Sequence, residues 1–447
     1  MESFKRVLVL SHNAFSKKQN NGKTLEAFFK EWDKEAIAQI YLQPEIPDFD
    51  FCNNYFKITD YDVLNNILSR SEIGSVVQEK KDVDTEQIYN PIVKKLYQDR
   101  RKGVERKNLN KFIHKAFVSR VPIFITAREV LWKISTWKTK QLVDWINTFK
   151  PDVLFFQGSN GVFGYDIALW ICEEFKIPLV LELTDDYTTG LYQYSIVEKI
   201  NKLRYKKIFK KAISLSKNVI TISDEMSNEY ENLYGGNYTT LMNSVERKDI
   251  GDEPKDLRLI YAGNVSLNRW KVLKNIGKAL DQINQKRSMD YSLDIYTPTV
   301  LPQEIIQEFN NISSINIGGS LNQEELAEQI NNSSILIHVE SFDKKMMKIT
   351  RLSISTKIPE YMASKRCIFA VGPDKVASIK YLEENNYAMV VKSDSIENIE
   401  KKLTILIDDP NFRDQIIKRA YDGFLRRHHP NLVQKTICEV IEDACRT

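Results

Sequence analysis

Residues Ser353–Ser364 read SISTKIPEYMAS, and the fold can be worked out from this stretch. Ser355 and Thr356 are residue types that begin helices, and Pro359 is tolerated in a first turn, so the stretch predicts a loop that becomes a helix. The N–H groups at such a helix start attract phosphate. Glu360 would follow them, where a carboxylate can accept hydrogen bonds from ribose hydroxyls. Many helices that bind nothing begin in the same way, so the surrounding chain has to decide between the two interpretations.

Around this stretch, strand and helix patterns alternate. Predicted strands occupy Arg258–Gly263, Ser292–Tyr296, Ile315–Gly318, Ile335–His338, Ile368–Val371 and Ala388–Val391. Strand–helix–strand spacing of this kind builds parallel βαβ units and a doubly wound sheet. Residues 258–426 therefore predict a Rossmann-like domain that binds its ligand at the carboxyl ends of its strands.

The first half of the chain repeats this rhythm. Apolar runs at Val7–Ser11, Ile37–Leu42, Asp152–Gln157, Pro178–Leu183 and Asn218–Ile222 predict parallel strands, with a polar loop at Asn13–Lys23 and mostly helix over 55–150. Residues 1–245 predict a Rossmann-like domain, Glu246–Leu257 a linker, and 427–447 a helix that packs back on the first domain. The fold class is α/β, with two doubly wound domains facing across a cleft.

Composition and motifs exclude several classes of protein. The chain has 447 residues, 42% of them apolar, and no apolar run of transmembrane length or signal-peptide pattern, so we expect a cytoplasmic protein. Its five cysteines and five histidines are scattered, which predicts no bound metal. GxGxxG, GxxxxGK[ST] and GxSxG are all missing, which argues against nicotinamide enzymes, P-loop proteins and α/β-hydrolases.

Two segments are strongly basic. Lys199–Lys217 holds eight basic residues and no acidic one, and Lys94–Arg120 holds ten against Asp99 and Glu105. Both carry apolar residues at helical spacing, so they predict basic amphipathic helices. Such helices lie peripherally on an anionic membrane surface or are simply solvated, and both interpretations stay open. No nucleic-acid-binding module is present.

The loops on the predicted binding side carry the candidate site residues. A nucleoside diphosphate can be bound by cations, open backbone, hydroxyls and a carboxylate. The second domain has these groups in the loops after successive strands: first Asn264, Arg269 and Lys274 (with Lys271 competing for the last place), then Gly319, Ser320 and Leu321, then Ser355, Thr356, Lys357 and Glu360. In the first domain, His12, Gly22 and Lys23 are candidates to bind an acceptor. Asp185 and Asp186 end a strand, where they position the acceptor, stabilise charge, or cap the next helix.

These motifs resemble retaining glycosyltransferases of family four, which have the GT-B fold. The resemblance lies in Leu259–Asn264, Gly319–Leu321, Ser355–Ser364, Asn21–Leu25, Pro151–Leu154 and Ser223–Met226, and it is closest to bacterial enzymes that build surface polysaccharides. It implies a nucleotide-sugar donor as substrate, no cofactor, a saccharide or lipid-linked acceptor, and metal-independent transfer with retention at the inner face of the cell membrane.

The resemblance also implies roles for single residues. Glu360 matches the glutamate that holds the ribose, and Arg269 and Lys274 match the cations that contact the pyrophosphate. The family's upstream glutamate would lie eight residues before Glu360, but this chain has Leu352 at that position. The nearest earlier carboxylates are Glu340 and Asp343. Glu340 is therefore a candidate catalytic residue. A sugar-nucleotide 2-epimerase and a non-catalytic nucleotide-sugar-binding subunit are the alternatives.

Overall fold

The computed structural model describes residues 4–16, 20–79, 122–189, 195–246, 254 and 257–446. The chain divides into two compact units. Unit 1 comprises Met1–Thr221, Ser227–Thr240 and Gln434–Thr447, and unit 2 comprises Ile222–Met226 and Leu241–Val433. The predicted ranges, 1–245 and 258–426, follow the order of the chain, whereas each unit combines segments that are distant in sequence. The predicted basic segment 94–120 lies outside the described residues.

Unit 1 is built on an eight-stranded sheet with the order β4-β3-β2-β1-β5-β6-β7-β8. Its strands are β1 Val7–Ser11, β2 Ile37–Tyr41, β3 Asn54–Lys57, β4 Ser75–Val77, β5 Val153–Gln157, β6 Leu179–Leu183, β7 Ser216–Thr221 and β8 Tyr238–Thr240. All neighbours are parallel except β3 and β4. The central strands β1, β2, β5 and β6 are buried throughout, as their apolar runs predict.

The described helices of unit 1 connect these strands. They are α1 Asn20–Phe29, α2 Asp60–Ser69, α3 Pro122–Ile134, α4 Lys140–Phe149, α5 Val162–Phe175, α6 Ile196–Leu215, α7 Asp224–Tyr234 and α16 Pro430–Arg446, with α7 and α16 each shared between units, and a short 3-10 helix at Lys34–Ala36. The prediction of mostly helix over 55–150 was wrong for β3 and β4. Within the same range, α3 and α4 are separate helices, and Thr139 begins α4 by accepting the Leu142 N–H at 3.2 Å.

The predicted polar loop at Asn13–Lys23 was also wrong in its second part, because α1 already begins at Asn20. Asn-Asn-Gly is typical of a turn, but here Gly22 fits the helix against the chain leaving β1. A Cβ on Gly22 would lie 2.2 Å from the Ala14 carbonyl oxygen, so only glycine allows this approach.

Unit 2 is built on a six-stranded parallel sheet with the order β11-β10-β9-β12-β13-β14. Its strands are β9 Leu259–Ala262, β10 Leu293–Tyr296, β11 Ile315–Gly318, β12 Ile335–Val339, β13 Cys367–Val371 and β14 Met389–Val391. Its helices are α8 Arg269–Arg287, α9 Gln303–Asn310, α10 Gln323–Asn331, α11 Lys344–Thr350, α12 Lys357–Ala363, α13 Ala377–Glu384, α14 Ile396–Asp408 and α15 Pro410–Arg427. One apolar core joins β9, β10, β12 and β13 with α8 and α14. The predicted two-domain α/β fold is confirmed.

Candidate functional site

The strand order of unit 2 reverses between β9 and β12. From β9 the chain passes to β10 and then β11 on one side, and from β12 it passes to β13 and β14 on the other. The loops that follow β9 and β12 therefore diverge, and a crevice opens at the carboxyl ends of these two strands. This topological switch point is where open α/β sheets bind their ligands.

Arg269 and Glu340 meet at this switch point. Arg269 is the first residue of α8, after the β9 loop, and Glu340 directly follows β12. Arg269 Nη2 donates to both carboxylate oxygens of Glu340, at 2.9 and 3.0 Å. The Glu340 side chain is 3% exposed and that of Arg269 is 19% exposed. Within the described residues, Arg269 Nε and Nη1 make no hydrogen bond, so most of the guanidinium's donors are available to a ligand.

Further polar groups surround Glu340. Ser378 Oγ lies 3.5 Å from its Oε1, and the Oγ of the same serine lies 3.2 Å from His338 Nε2. Burial lowers the pKa of His338 to about 3, and the charge of Arg269 acts in the same direction, so the imidazole is neutral. Burial raises the pKa of Glu340, while Arg269 opposes that rise. The site thus combines the guanidinium of Arg269, which stays charged, with the carboxylate of Glu340, whose pKa is raised by burial.

The loop between β9 and α8 holds Arg269 in place. Leu267 and Asn268 both have left-handed backbone conformations, with φ of 59° and 62°, which non-glycine residues rarely adopt. Asn264 braces the loop, since its Oδ1 accepts from Ser266 N at 2.6 Å and from Thr299 Oγ1 at 3.0 Å. Asn264 was predicted to bind the donor, and the structure shows it organising the loop that carries Arg269.

The stretch Ser353–Ser364 lies beside the same strand end. Its helix, α12, spans Lys357–Ala363 with Pro359 in the first turn, as predicted. The buried Tyr361 hydroxyl lies 3.3 Å from Ala262 N and 3.4 Å from Ala262 O, at the end of β9. Glu360 lies on this helix, half-buried, with Lys357 Nζ 3.0 Å from its Oε2. The sequence therefore placed the helix and Glu360 close to the switch point.

The predicted phosphate site at the start of this helix is not supported. Lys357 N donates to Ser355 Oγ at 3.3 Å and Ile358 N donates to Ser355 O at 3.0 Å, while Pro359 has no N–H. The first three helical positions thus have no N–H group to offer an anion. The exposed Thr356 makes no side-chain cap bond. Arg269 is the better candidate to bind phosphate.

The predicted glycine turn follows β11, at the edge of the sheet. Gly319 and Ser320 are exposed and Leu321 is half-buried. A Cβ on Gly319 would meet nothing within 4 Å, so its backbone is open to a flat ligand. The next helix begins at Gln323, because Asn322 caps it. β11 and β12 are three strand spacings apart, about 14 Å, so the turn and Glu340 lie at opposite ends of a row of loops.

Lys274 is not paired with Arg269 as the sequence predicted. Lys274 follows Arg269 by five residues, which corresponds to a rotation of about 140° about the axis of α8. Its Nζ pairs with Glu308 of α9 at 3.0 Å and lies 5.6 Å from the Trp270 ring centroid. Lys271, the competing residue, lies over the same ring at 5.7 Å. The physical reason is helical periodicity, which directs the two cations to different sides of α8.

In unit 1, the three predicted acceptor-binding residues belong to the segment after β1. His12 is half-buried and contacts Gln43 through Nε2, and burial, followed by the charge of Arg128, lowers its pKa to about 4. Gly22 and Lys23 lie in α1, not in a loop, and the Lys23 side chain is outside the described residues. His12 is thus a neutral polar group at the carboxyl edge of this sheet.

Asp185 and Asp186 differ sharply in environment. Asp185 is exposed, whereas Asp186 is 6% exposed. Asp186 Oδ1 accepts from Thr188 N at 2.9 Å, Thr188 Oγ1 at 2.8 Å and Tyr230 OH at 2.8 Å. Its carboxylate therefore organises the turn after β6 and ties it to α7. The alternative that one of these residues caps the next helix is wrong, because Ser195 caps α6.

Two buried polar side chains at the same edge of unit 1 were not among the predicted site residues. Gln157 and Glu182 are register partners on β5 and β6, and each is 2% exposed. Among the described residues, Glu182 Oε2 and both polar atoms of the Gln157 side chain make no hydrogen bond of normal geometry, although Gln157 lies close enough to the Glu182 carboxyl to oppose the rise of its pKa. Burial raises the pKa of Glu182 to about 7. A glutamate within the apolar run LVLEL was the signal that could have found this pair.

Neither a metal-binding cluster nor a membrane-spanning helix is found within the described ranges. No group of three or more His, Cys, Asp or Glu side chains is arranged to hold a metal ion. No helix there combines the length and apolar character needed to cross a bilayer.

The fold and part of the sequence match known proteins. Residues 278–439, mostly in unit 2, match a family model described as glycosyl transferase-like. None of the curated proteins matches the chain in sequence. HepE from Anabaena, in complex with UDP and glucose, superposes with a TM-score of 0.59 at 11% identity, covering 98% of this chain and 99% of that one.

Two other solved structures are similar over their whole length. Sucrose-phosphate synthase from Thermosynechococcus elongatus has a TM-score of 0.59 at 8% identity, covering 98% of both chains. A UDP-forming α,α-trehalose-phosphate synthase from Burkholderia xenovorans has a TM-score of 0.58 at 10% identity, covering 98% of this chain and 100% of that one. At these identities the likeness shows the fold, two Rossmann-like units of the GT-B class.

Proposed function

We propose that this chain is a glycosyltransferase that moves a sugar from a nucleotide-sugar donor to a saccharide or lipid-linked saccharide acceptor. The observation that carries the proposal is the guanidinium of Arg269 at the switch point of unit 2, which pairs with Glu340 through Nη2 alone. The glycosyl transferase-like match over 278–439 and the GT-B fold support a transferase. HepE was solved with UDP, which makes UDP the first nucleotide to test.

Arg269 supplies the charge that the reaction needs. When the bond between sugar and diphosphate breaks, negative charge develops on the leaving phosphate oxygens. A guanidinium is always cationic and presents its donors in a fork that fits phosphate oxygens. Because Glu340 holds Nη2 alone, Nε and Nη1 can bind the diphosphate without reorganising the side chain. Stabilising the leaving group in this way needs no metal ion.

Glu340 and Glu360 are assigned to the other parts of the donor. Glu360 lies on α12, beside the end of β9, and we assign it to the ribose hydroxyls. Glu340 lies at the end of β12, against Arg269, and we assign it to the transferred sugar and the developing positive charge at its reacting carbon. Gly319, with its open backbone at the other end of the row of loops, is assigned to the base.

The acceptor, the stereochemistry and the cellular role rest on the resemblance found in the sequence. It favours retention, a role in bacterial surface polysaccharide synthesis, and action at the cytoplasmic face of the membrane. A saccharide acceptor would be held by unit 1, where His12 and Asp185 lie at the carboxyl edge of the sheet.

The deciding experiment is a donor screen. Purified protein is incubated with UDP-, GDP- and TDP-sugars, with and without lipid-linked saccharides, and both free nucleotide and the sugar product are measured. Nucleotide release that depends on the acceptor supports the proposal. Conversion of the donor into its 2-epimer without acceptor would establish the epimerase instead. Saturable donor binding with no turnover on any acceptor would indicate a binding subunit.

A further inference from the structure

Helix α6 (Ile196–Leu215) presents an apolar stripe on the side that faces away from the core. Its inward residues include Tyr205, Phe209 and Ile213, all buried. On the opposite side, Ile196, Ile200 and Leu203 are 77%, 51% and 68% exposed. At 100° per residue, these three aliphatic side chains fall within about 60° of one another. Three exposed aliphatic side chains therefore share one side of α6.

Basic residues surround this stripe. The helix contains seven basic residues and one acidic residue. The exposed lysines of the helix are Lys199, Lys206, Lys207, Lys210 and Lys211. The acidic residue, Glu198, forms a capping box with Ser195 and accepts its N–H at 2.9 Å. The outward side is thus apolar in its first turns and cationic along its flanks and its second half.

The neighbouring helix α3 (Pro122–Ile134) repeats the pattern. Ile123, Val130 and Ile134 are 63%, 44% and 60% exposed, at a spacing of seven and four residues that aligns them on one side. The two helices pack together, and Thr126 of α3 and Asn201 of α6 exchange hydrogen bonds of 3.1 and 2.9 Å. The exposed stripes therefore belong to two helices that pack against each other.

We propose that the outward sides of α3 and α6 form a surface that docks on an anionic lipid bilayer. Amphipathic helices with aliphatic residues on one side and lysines beside them lie in the interface of such membranes. Lysine is depleted at protein–protein interfaces, so its abundance here disfavours a protein partner. Binding of single-stranded nucleic acid relies on exposed aromatic side chains, whereas both aromatic residues of α6 are buried. The membrane contact is inferred from the exposed residues of α3 and α6 and does not rest on the proposed transfer reaction.

Vesicle co-sedimentation of the full chain tests the proposal. Vesicles of phosphatidylcholine alone are compared with vesicles that also contain phosphatidylglycerol. We expect the protein to partition onto the anionic vesicles and to be released as salt screens the lysines. The variant Ile200→Glu/Leu203→Glu should bind at least about tenfold more weakly, because it places charge where aliphatic groups enter the interface. Val300→Glu changes an aliphatic residue that is 93% exposed in unit 2, and it should bind like the native protein.

A second pair of variants tests the charges. Lys206→Glu/Lys210→Glu should lose binding to anionic vesicles, whereas reversing the exposed Lys401 and Lys402 of α14 should not. Circular dichroism and UDP affinity, a property of unit 2, show that each variant is folded. Unchanged sedimentation of both α6 variants would overturn the proposal, as would equal binding to neutral vesicles. It would also be overturned if the native protein were a dimer without lipid and Ile200→Glu/Leu203→Glu made it a monomer, because the face would then join two copies of the chain.

Discussion

A single amino group of Arg269, Nη2, holds both carboxylate oxygens of Glu340, at 2.9 and 3.0 Å. A guanidinium paired with a carboxylate more often uses two nitrogen atoms, each of which gives one N–H. Here one nitrogen does the pairing, and the remaining donors stay available at the switch point of the sheet. Both halves of this pair can be tested separately.

Arg269→Lys should weaken UDP binding by about tenfold to a hundredfold, because an ammonium replaces a planar fork and has to serve both Glu340 and the diphosphate. Isothermal titration calorimetry with UDP measures the change. Lys274→Ala is the matched control, since this lysine pairs with Glu308, and it should change affinity by less than about threefold. A larger effect at Lys274 than at Arg269 would show that the phosphate position is wrongly placed.

Glu340→Gln keeps the shape of the side chain and removes its charge. We expect the free energy of unfolding to fall by about 2–4 kcal/mol, because the guanidinium loses its buried counter-ion. UDP should bind at least as tightly as before, since a negative charge near the diphosphate is gone, while the transfer rate should fall by about a hundredfold or more. Thermal unfolding, calorimetry and nucleotide release separate the three effects. A variant with native transfer rate would remove Glu340 from the catalytic assignment.

Glu360→Ala should sharply weaken donor binding and leave the fold intact. The side chain is half-buried, and its recorded ion pair is with Lys357 on the same helix, which stabilises a helix by about 0.5 kcal/mol or less. A change in donor affinity would therefore come from lost ligand contacts. UDP-sugar affinity and melting temperature are measured together, with Lys357→Ala as the control for the ion pair. Native affinity in Glu360→Ala would contradict the placement of the ribose.

Glu182 should make the stability of the protein depend on pH near neutrality. Burial raises its pKa from 4.5 to about 7, so the folded protein holds a proton that the unfolded chain releases more readily. Its contribution to stability is present in full below pH 4.5 and is lost as pH rises through about 7, an effect of about 3 kcal/mol. Glu182→Gln removes this titration, and denaturant unfolding at pH 5 and pH 8 should show a smaller difference than in the native protein.

Glu129 provides a comparison for that measurement. Its pKa is also raised to about 7 by burial, but its carboxylate accepts the N–H groups of Val162 and Phe163 at 2.9 and 3.0 Å. Glu129→Gln should therefore lose the same titration and also weaken the start of α5, by about 1 kcal/mol at all pH values. If Glu182→Gln leaves the native pH dependence unchanged while Glu129→Gln removes it, the proton resides on Glu129 alone.

The sequence predicted the elements that periodicity alone determines. Continuous apolar runs such as Val7–Ser11 and short hydroxyl-rich turns such as Ser355–Thr356 carry their own local signal, and the parallel sheets followed from the βαβ rhythm. Glu360 and Arg269 became candidates because Glu360 follows the Ser355–Thr356 turn and Arg269 lies in the loop after the predicted strand Arg258–Gly263. The strand β4, only three residues long and antiparallel at the sheet edge, lacked that rhythm and was missed.

What the sequence could not show was which polar groups satisfy one another. Ser355 looked like a phosphate ligand, but it accepts the N–H of Lys357. Asp186 looked catalytic or cap-forming, but Thr188 and Tyr230 occupy its carboxylate. Lys274 looked like the partner of Arg269, but the turn of the helix directs it to Glu308. In each case the decisive fact is which hydrogen-bond partner the side chain takes, near in sequence or far from it, or a rotation about a helix axis, and residue types alone do not reveal either.

The row of loops along unit 2 has a consequence for how this site can diversify. Gly319 lies after β11 and Glu340 after β12, so the groups assigned to the base and to the sugar belong to separate connections of the chain. Each connection can be exchanged or lengthened while the strand beneath it stays in register. Chimeras that replace only Gly318–Leu321 are thus a direct route to altered nucleotide preference, with the machinery around Arg269 left as it is.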